Sequence, residues 1–235
     1  MNSLKPVIGV SDSEWIVIDG GSNIEIGEQS VKDQVRNMAD HFTSESDDGI
    51  YDAMNKGTQH VSGDYVLYLN AGDELHPYFD LAWLSQMPAG TTPDMVWGQC
   101  EVRYQDGTQL QVKSRSPSWA WYCMPVFHPA IFFRREILGG KPYDTSYLYA
   151  ADYDLVCRLL ASDARVMQSE ALVSVYRRGG ISDTQGDAAR EEENIIRLKY
   201  FRIPAFIGYS VKKFKEINAR QSTFSKMVRW FRRWI

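Results

Sequence analysis

The sequence predicts an α/β fold with a mostly parallel central sheet in one main domain. Three observations carry that expectation. Short β-rich runs alternate with amphipathic stretches through the first half, the pattern of parallel strands joined by helices. Trp15-Ile16-Val17-Ile18 is an apolar run closed by Asp19-Gly20-Gly21-Ser22, a strand meeting a tight turn. Tyr65-Val66-Leu67-Tyr68-Leu69 reads as a buried strand ending in Asn70-Ala71-Gly72-Asp73-Glu74. In open α/β sheets, ligands gather at the carboxyl ends of strands.

The elements follow in order. From about residue 28 to 38, Val31, Val35 and Met38 recur at helical spacing in a polar stretch, an amphipathic helix. His41 to Ser44 is a short strand, Asp52 to Val61 a helix and Asp64 to Leu69 a strand. Asp94 to Val102 and Thr108 to Lys113 are strands joined by Asp106-Gly107, a hairpin signal. Ala130 to Phe133 is a further strand. Asp152 to Ser162 is a helix with Leu155, Leu159 and Leu160 on one face. Val166 to Tyr176 is strand-like, and Ala188 to Tyr200 is helical. No repeat or linker precedes about residue 207, so 1–207 reads as the domain and 208–235 as a tail.

A chain of 235 residues, 44% hydrophobic and 13% aromatic, has the material for a full core. Its net charge of −4 carries no nucleic-acid signature. The charge is uneven: residues 208–235 hold eight Lys or Arg against one acid, Glu216. In that tail Phe224, Met227, Val228, Phe231 and Ile235 form a stripe bordered by Trp230 and Trp234, with Lys226, Arg229, Arg232 and Arg233 interspersed. This is a cationic amphipathic helix of the interfacial type, and an anionic membrane surface is its expected partner. The alternative is a helix docked on the domain or on another subunit. Cys100, Cys123 and Cys157 are odd in number and widely spaced, fitting neither a disulfide framework nor a zinc site; they read as reduced thiols of a cytoplasmic protein. No signal peptide is recognisable, and no window of 18 apolar residues is present.

The most specific stretch is Glu45-Ser46-Asp47-Asp48-Gly49-Ile50-Tyr51-Asp52-Ala53-Met54-Asn55-Lys56-Gly57. With Asp19-Gly20-Gly21-Ser22, Asn70-Ala71-Gly72-Asp73, His128-Pro129-Ala130-Ile131-Phe132-Phe133, Ala151-Asp152 and Gly179-Gly180-Ile181-Ser182, it runs in a fixed order over about 70% of the chain. This order resembles the family 2 inverting glycosyltransferases of GT-A fold, especially those of bacterial exopolysaccharide and colanic acid biosynthesis. The departures are Ser46 where proline is usual, Asn70 and Gly72 where acids are usual, Pro129 for Gln, and Ala151 for Glu or Ser. The family opens with a strand and a helix before its Asp-Gly-Gly-Ser strand, whereas only 14 residues precede Trp15. Pro6-Val7-Ile8-Gly9-Val10 is strand-like, but the four residues that follow are too few for a parallel crossover. Either the first β-α unit is missing or these residues serve another purpose.

The resemblance implies roles. Asp19 contacts the base of a donor nucleotide, and Asp48, Asp52, Asn55, Lys56 and Asn70 lie near that nucleotide. Asp73 holds Mn or Mg, hard cations that suit carboxylate oxygen. Asp152 is the base, taking the proton of the acceptor hydroxyl across the sugar from the leaving diphosphate. His128, Arg178 and Ser182 touch donor sugar or diphosphate. Apart from the resemblance, the close spacing of Trp119, Trp121 and Tyr122 suits a stacking wall for an acceptor sugar. Each residue also has a plain reading. Asp19 or Asp152 serves as a helix or turn cap, Asp52 and Lys56 as an i,i+4 ion pair, His128 as a hydrogen-bonded histidine and the tryptophans as core.

The implied function is a metal-dependent inverting transfer from a nucleotide donor, a UDP-sugar, to a lipid-linked saccharide in exopolysaccharide, capsule or O-antigen biosynthesis. The expected location is the inner face of a bacterial cell membrane. Two rivals stand beside it: a degenerate, non-catalytic relative that lacks its nucleotide-binding unit, and a nucleotidyltransferase. The second would carry a Gly-rich basic N-terminal loop, and none is found.

Overall fold

A computed structural model describes residues 12–22, 29–82, 92–179 and 186–202. The amphipathic tail, the strand-like residues 6–10 and Ser182 lie outside the described residues.

Two sheets form. β1 (Ile16–Asp19) and β2 (His41–Ser44) make a parallel pair, joined by helix α1 (Gln29–Met38). Helix α2 (Ile50–Thr58) follows, and Gly57 lies against Ile16 and Ile18 of β1. The larger sheet holds six strands: β3 (Tyr65–Leu67), β4 (Glu74–Leu75), β5 (Met95–Arg103), β6 (Gln109–Val112), β7 (Ile131–Arg134) and β8 (Val166–Arg177). Its order is β3-β7-β5-β8-β4, with β6 also on β5. Helix α3 (Arg135–Leu138), α4 (Ala151–Ala161) and α5 (Gly186–Phe201) complete the fold.

The expected α/β class holds, but the larger sheet is mixed rather than mostly parallel. Only β5 with β8 is parallel there; β3 with β7, β7 with β5, β6 with β5 and β4 with β8 are antiparallel. The reason is connection length. The Asp106-Gly107 turn between β5 and β6 forces reversal, whereas β5 to β8 has ample chain for a crossover. The two-residue β4 has no signature in the sequence.

The core is the β5 neighbourhood. Met95, Val96, Trp97, Ile131, Phe133, Leu155, Val156 and Val173 are fully buried. Gly98 sits where β5 and β8 change register; a Cβ there would stand 2.3 Å from a Val173 methyl and 2.9 Å from the Ala171 carbonyl. By contrast β1 is only half-buried along its length, and among the described residues no strand joins β1 to β3. Among those residues, no helix is long and apolar enough to cross a membrane.

Candidate active site

One carboxylate aligns the two sheets. Glu14, just before β1, accepts from the Ser62 and Gly63 amides (2.6 and 2.8 Å) and the Ser62 hydroxyl (2.9 Å), just before β3. The residues that lead into β1 and into β3 are thus tied together.

Asp19 ends β1 with its carboxylate occupied. It accepts from the Ser22 hydroxyl and amide (2.5 and 3.2 Å) and the Ser44 hydroxyl (2.7 Å), and pairs with Lys32 (2.7 Å). Burial works to raise its pKa, but Lys32 and the serine hydroxyls outweigh it and hold the carboxyl well below the usual range. Asp47 lies so close to Gly20 that a Cβ there would meet its carboxylate. Asp48 is exposed, and its amide donates to Asp52. Lys56 pairs with Asp52 (3.1 Å) and Glu45 (3.0 Å) and donates to the Ser46 carbonyl (3.0 Å), pinning the loop after β2 onto α2.

Asn55 is turned into the fold. Its amide nitrogen donates to the Tyr143 carbonyl and its oxygen accepts from the Tyr143 amide, both at 2.9 Å, and the side chain is buried. Asn55 was expected near the nucleotide; its amide is taken up by the Tyr143 backbone. The cause is position: Tyr51, Met54, Asn55 and Thr58 form the buried stripe of α2.

After β3 the chain closes a turn in which the Asp73 amide donates to the Asn70 carbonyl (2.9 Å) and the Asn70 amide to Asp73 (3.2 Å). Gly72 adopts φ +100, open to glycine. Asp73 is half-buried, and burial pushes its carboxyl up to about 6 against the pull of the Asn70 amide. A half-buried acid with so little compensation is one that a cation would satisfy. Among the described residues no three His, Cys, Asp or Glu cluster as a metal cage. A cation here would take Asp73, phosphate oxygens and water, a set adequate for Mg-like ions. Glu74, which follows Asp73, pairs with Val175 of β8, three residues before Arg178. The Arg178 guanidinium stands over the Tyr104 ring at 5.5 Å, beside an open hollow of about 330 Å³ lined by Gln105, Asp106 and Gly179.

Asp152 stands in the first turn of α4, half-buried. Burial pushes it up to about 6, opposed by the Tyr153 amide (2.8 Å) and the Tyr51 hydroxyl (3.2 Å). It is not the helix cap: Ala150 holds that position without a side-chain bond. Neighbouring Asp154 is buried and paired with Lys199 at 2.9 Å. The Tyr153 hydroxyl bonds to the Ala120 carbonyl, which anchors the aromatic segment beside the helix carrying Asp152. In that segment Trp119 is 38% exposed, and the Trp121 and Tyr122 ring centroids are 5.6 Å apart.

His128 is buried. Its Nε2 shares a 2.8 Å hydrogen bond with the Tyr143 hydroxyl, and burial lowers its pKa to about 4, keeping the ring neutral. It takes the plain reading, a member of a Tyr68–His128–Tyr143 aromatic cluster that also stacks on Tyr51. Tyr51 stands inside the most specific motif, yet its residue type and spacing signal no role for it. Glu192, which no sequence signal marks, accepts from the Leu148, Tyr149 and Ala150 amides at 2.8, 2.8 and 2.9 Å.

The family model described as "Glycosyl transferase family 2" matches residues 3–149. A PGL/p-HBAD biosynthesis glycosyltransferase of Mycobacterium tuberculosis is 26% identical over 251 residues, covering 94% of this chain and 87% of that one. Among solved structures, Staphylococcus aureus TarS 1–349 in complex with UDP superposes with a TM-score of 0.58 at 13% identity, over 90% of this chain and 69% of that chain. GalNAc-T7 with UDP, GalNAc and Mn2+ gives 0.53 at 14% identity, over 79% and 41%. At such identities these two likenesses are of fold alone.

Proposed function

The chain belongs to glycosyl transferase family 2 and has a GT-A-like α/β fold, and from that premise we propose an inverting transfer of a sugar from a UDP-sugar to a saccharide carried on a lipid. The observation that carries this reading is Asp152: a half-buried carboxylate raised to about 6, beside the aromatic segment 119–122. A base poised near the working pH is what abstraction of a hydroxyl proton requires.

In the reaction, Asp152 takes the proton of the acceptor hydroxyl as its oxygen bonds to the anomeric carbon. The bond from that carbon to the diphosphate breaks on the opposite face, and UDP leaves with the electron pair. One carboxylate suffices because the diphosphate needs no proton to depart, unlike the leaving group of a glycosidase. A divalent cation held by Asp73 and the phosphate oxygens would neutralise charge gathering on the leaving group. Trp119, Trp121 and Tyr122 supply stacking faces for the acceptor sugar, and Arg178 a cation for the diphosphate. Asp19 and the Asp48–Lys56 segment shape the loops that seat the nucleotide.

The lipid-borne acceptor is supported by the mycobacterial relative, whose name places it in PGL/p-HBAD biosynthesis, and by the basic amphipathic pattern of residues 208–235, which suits an anionic membrane surface. The test is a panel of nucleotide sugars with purified protein and Mn, reading released nucleotide, beside calorimetry with UDP and Mn. Turnover of a UDP-sugar is expected. Absence of UDP binding would favour a non-catalytic relative instead.

A further inference from the structure

Asp152 is approached from two elements distant in sequence. From α2, the buried Tyr51 hydroxyl lies 3.2 Å from Asp152 Oδ1 and 3.0 Å from the Tyr149 carbonyl. From α5, Glu192 gathers the three successive amides of Leu148, Tyr149 and Ala150, the residues that lead directly into α4. That helix has no side-chain cap of its own. A carboxylate supplied from another helix here satisfies orphan amides and complements the positive end of the helix.

We propose that Tyr51 and Glu192 are positioning residues for Asp152, the phenol aiming its carboxylate and Glu192 fixing the loop from which its helix springs. This rests on the reading of Asp152 as the base. The phenol has one proton and two acceptors within reach. With Asp152 ionised it donates to Oδ1. With Asp152 protonated it turns to the Tyr149 carbonyl and accepts from the acid. The hydroxyl thus follows the charge of Asp152 and favours the ionised form. Glu192 acts on that charge in the opposite sense, because its own negative charge disfavours a second one nearby. Among the described residues, the other ionisable groups bearing on Asp152 include Tyr143 from the preceding loop, Glu193 from α5 and Cys157 along its own helix.

The test is an infrared titration of the full chain without substrate, with Asp152→Asn subtracted to isolate the Asp152 carboxyl band. Tyr51→Phe keeps the ring stacked on Tyr143 and is expected to move the midpoint up by about one pH unit, from the loss of one hydrogen bond to a charged acceptor. Glu192→Gln is expected to move it down by roughly half a unit. The acid limb of kcat/KM with the best UDP-sugar of the panel should shift with the same signs. A structural role alone would lower activity or melting temperature and leave both midpoints in place. An unmoved or downward midpoint in Tyr51→Phe overturns the role of Tyr51, and an unmoved or upward one in Glu192→Gln overturns that of Glu192. If both midpoints move but Asp152→Asn keeps full turnover, the positioning stands and the base assignment falls.

Discussion

The β1–β2 pair and the six-stranded sheet are held by different forces. In the first, β1 and β2 are four residues each and half-buried. Their geometry rests on polar side chains with several partners apiece: Glu14, Asp19 and Lys56. In the second, β5 is buried along most of its length among fully enclosed side chains. Each such side chain contributes roughly 1.5–3 kcal/mol on burial, against about 0–1 kcal/mol for an exposed ion pair. The difference bears on the two acids. Asp73 and Asp152 are attached to the well-packed body and are left partly unsatisfied there, while Asp19, on the loosely buried pair of strands, is saturated. Apolar packing gives the larger body the stability to carry underused carboxylates.

The sharpest way to break this comparison is at Asp152. Asp152→Asn keeps shape and removes the base, so turnover should fall by about 10³-fold while calorimetry with UDP and Mn returns the parental affinity. Unchanged turnover would take Asp152 out of the chemistry. Asp73→Asn should act differently. Turnover drops on the order of 10²-fold, from the several kcal/mol a cation supplies at the leaving group, and UDP binding loses its dependence on added Mn. A chelator should bring the parent protein to a similar level. If chelation leaves activity intact, the cation is not part of this site.

Much of this arrangement was legible in the sequence. β2 was read with its observed bounds, and α4, β5 and β8 to within about two residues, because long apolar stretches and helical periodicity are local signals. Strand direction was not legible, since it depends on how each connection packs; nor was β4, two residues with no period to display. At the site, residue types were readable and their commitments were not. Nothing local says that Asp19 spends its oxygens on Lys32, Ser22 and Ser44, or that Glu192 differs from Glu191 and Glu193 beside it. Asn55 is the instructive case, because its buried place was readable: with Tyr51, Met54 and Thr58 it falls at i, i+3, i+4 and i+7. The periodicity alone marks its place in the buried stripe of the helix.

Two glycines sharpen the contrast in packing. At Gly98 a Cβ would stand 2.3 Å from Val173 and 2.9 Å from a carbonyl oxygen that cannot retreat without breaking the β5–β8 register. Gly98→Ala should therefore cost about 1–3 kcal/mol, read as a lower urea midpoint at constant m-value. At Gly57 the nearest atom is an Ile18 side-chain carbon at 3.4 Å, on the half-buried strand β1. Gly57→Ala should be close to neutral, the gain in helix propensity offsetting a small displacement. Equal losses at both sites would mean that the two bodies are packed alike.

The smallest effect separates the acids by the sign of their pH dependence. Asp19 has a depressed pKa in the folded state, so its contribution is present above the unfolded value of about 3.9 and is lost as pH falls toward the folded one. Asp152 is raised to about 6, so the folded state binds the extra proton between about 4 and 6; stability falls as pH rises through that window and the full cost persists above it. Asp19→Asn should then lower the melting temperature at pH 7 by a few degrees, and by progressively less as pH falls below about 4. Asp152→Asn should raise it at pH 7, by a few degrees, with the gain fading toward pH 4. Melting curves at four pH values decide the matter. Two variants that shift in the same direction at pH 7 would show that Asp152 is as well satisfied as Asp19, and that the folded chain stores no unpaired acid for the acceptor to meet.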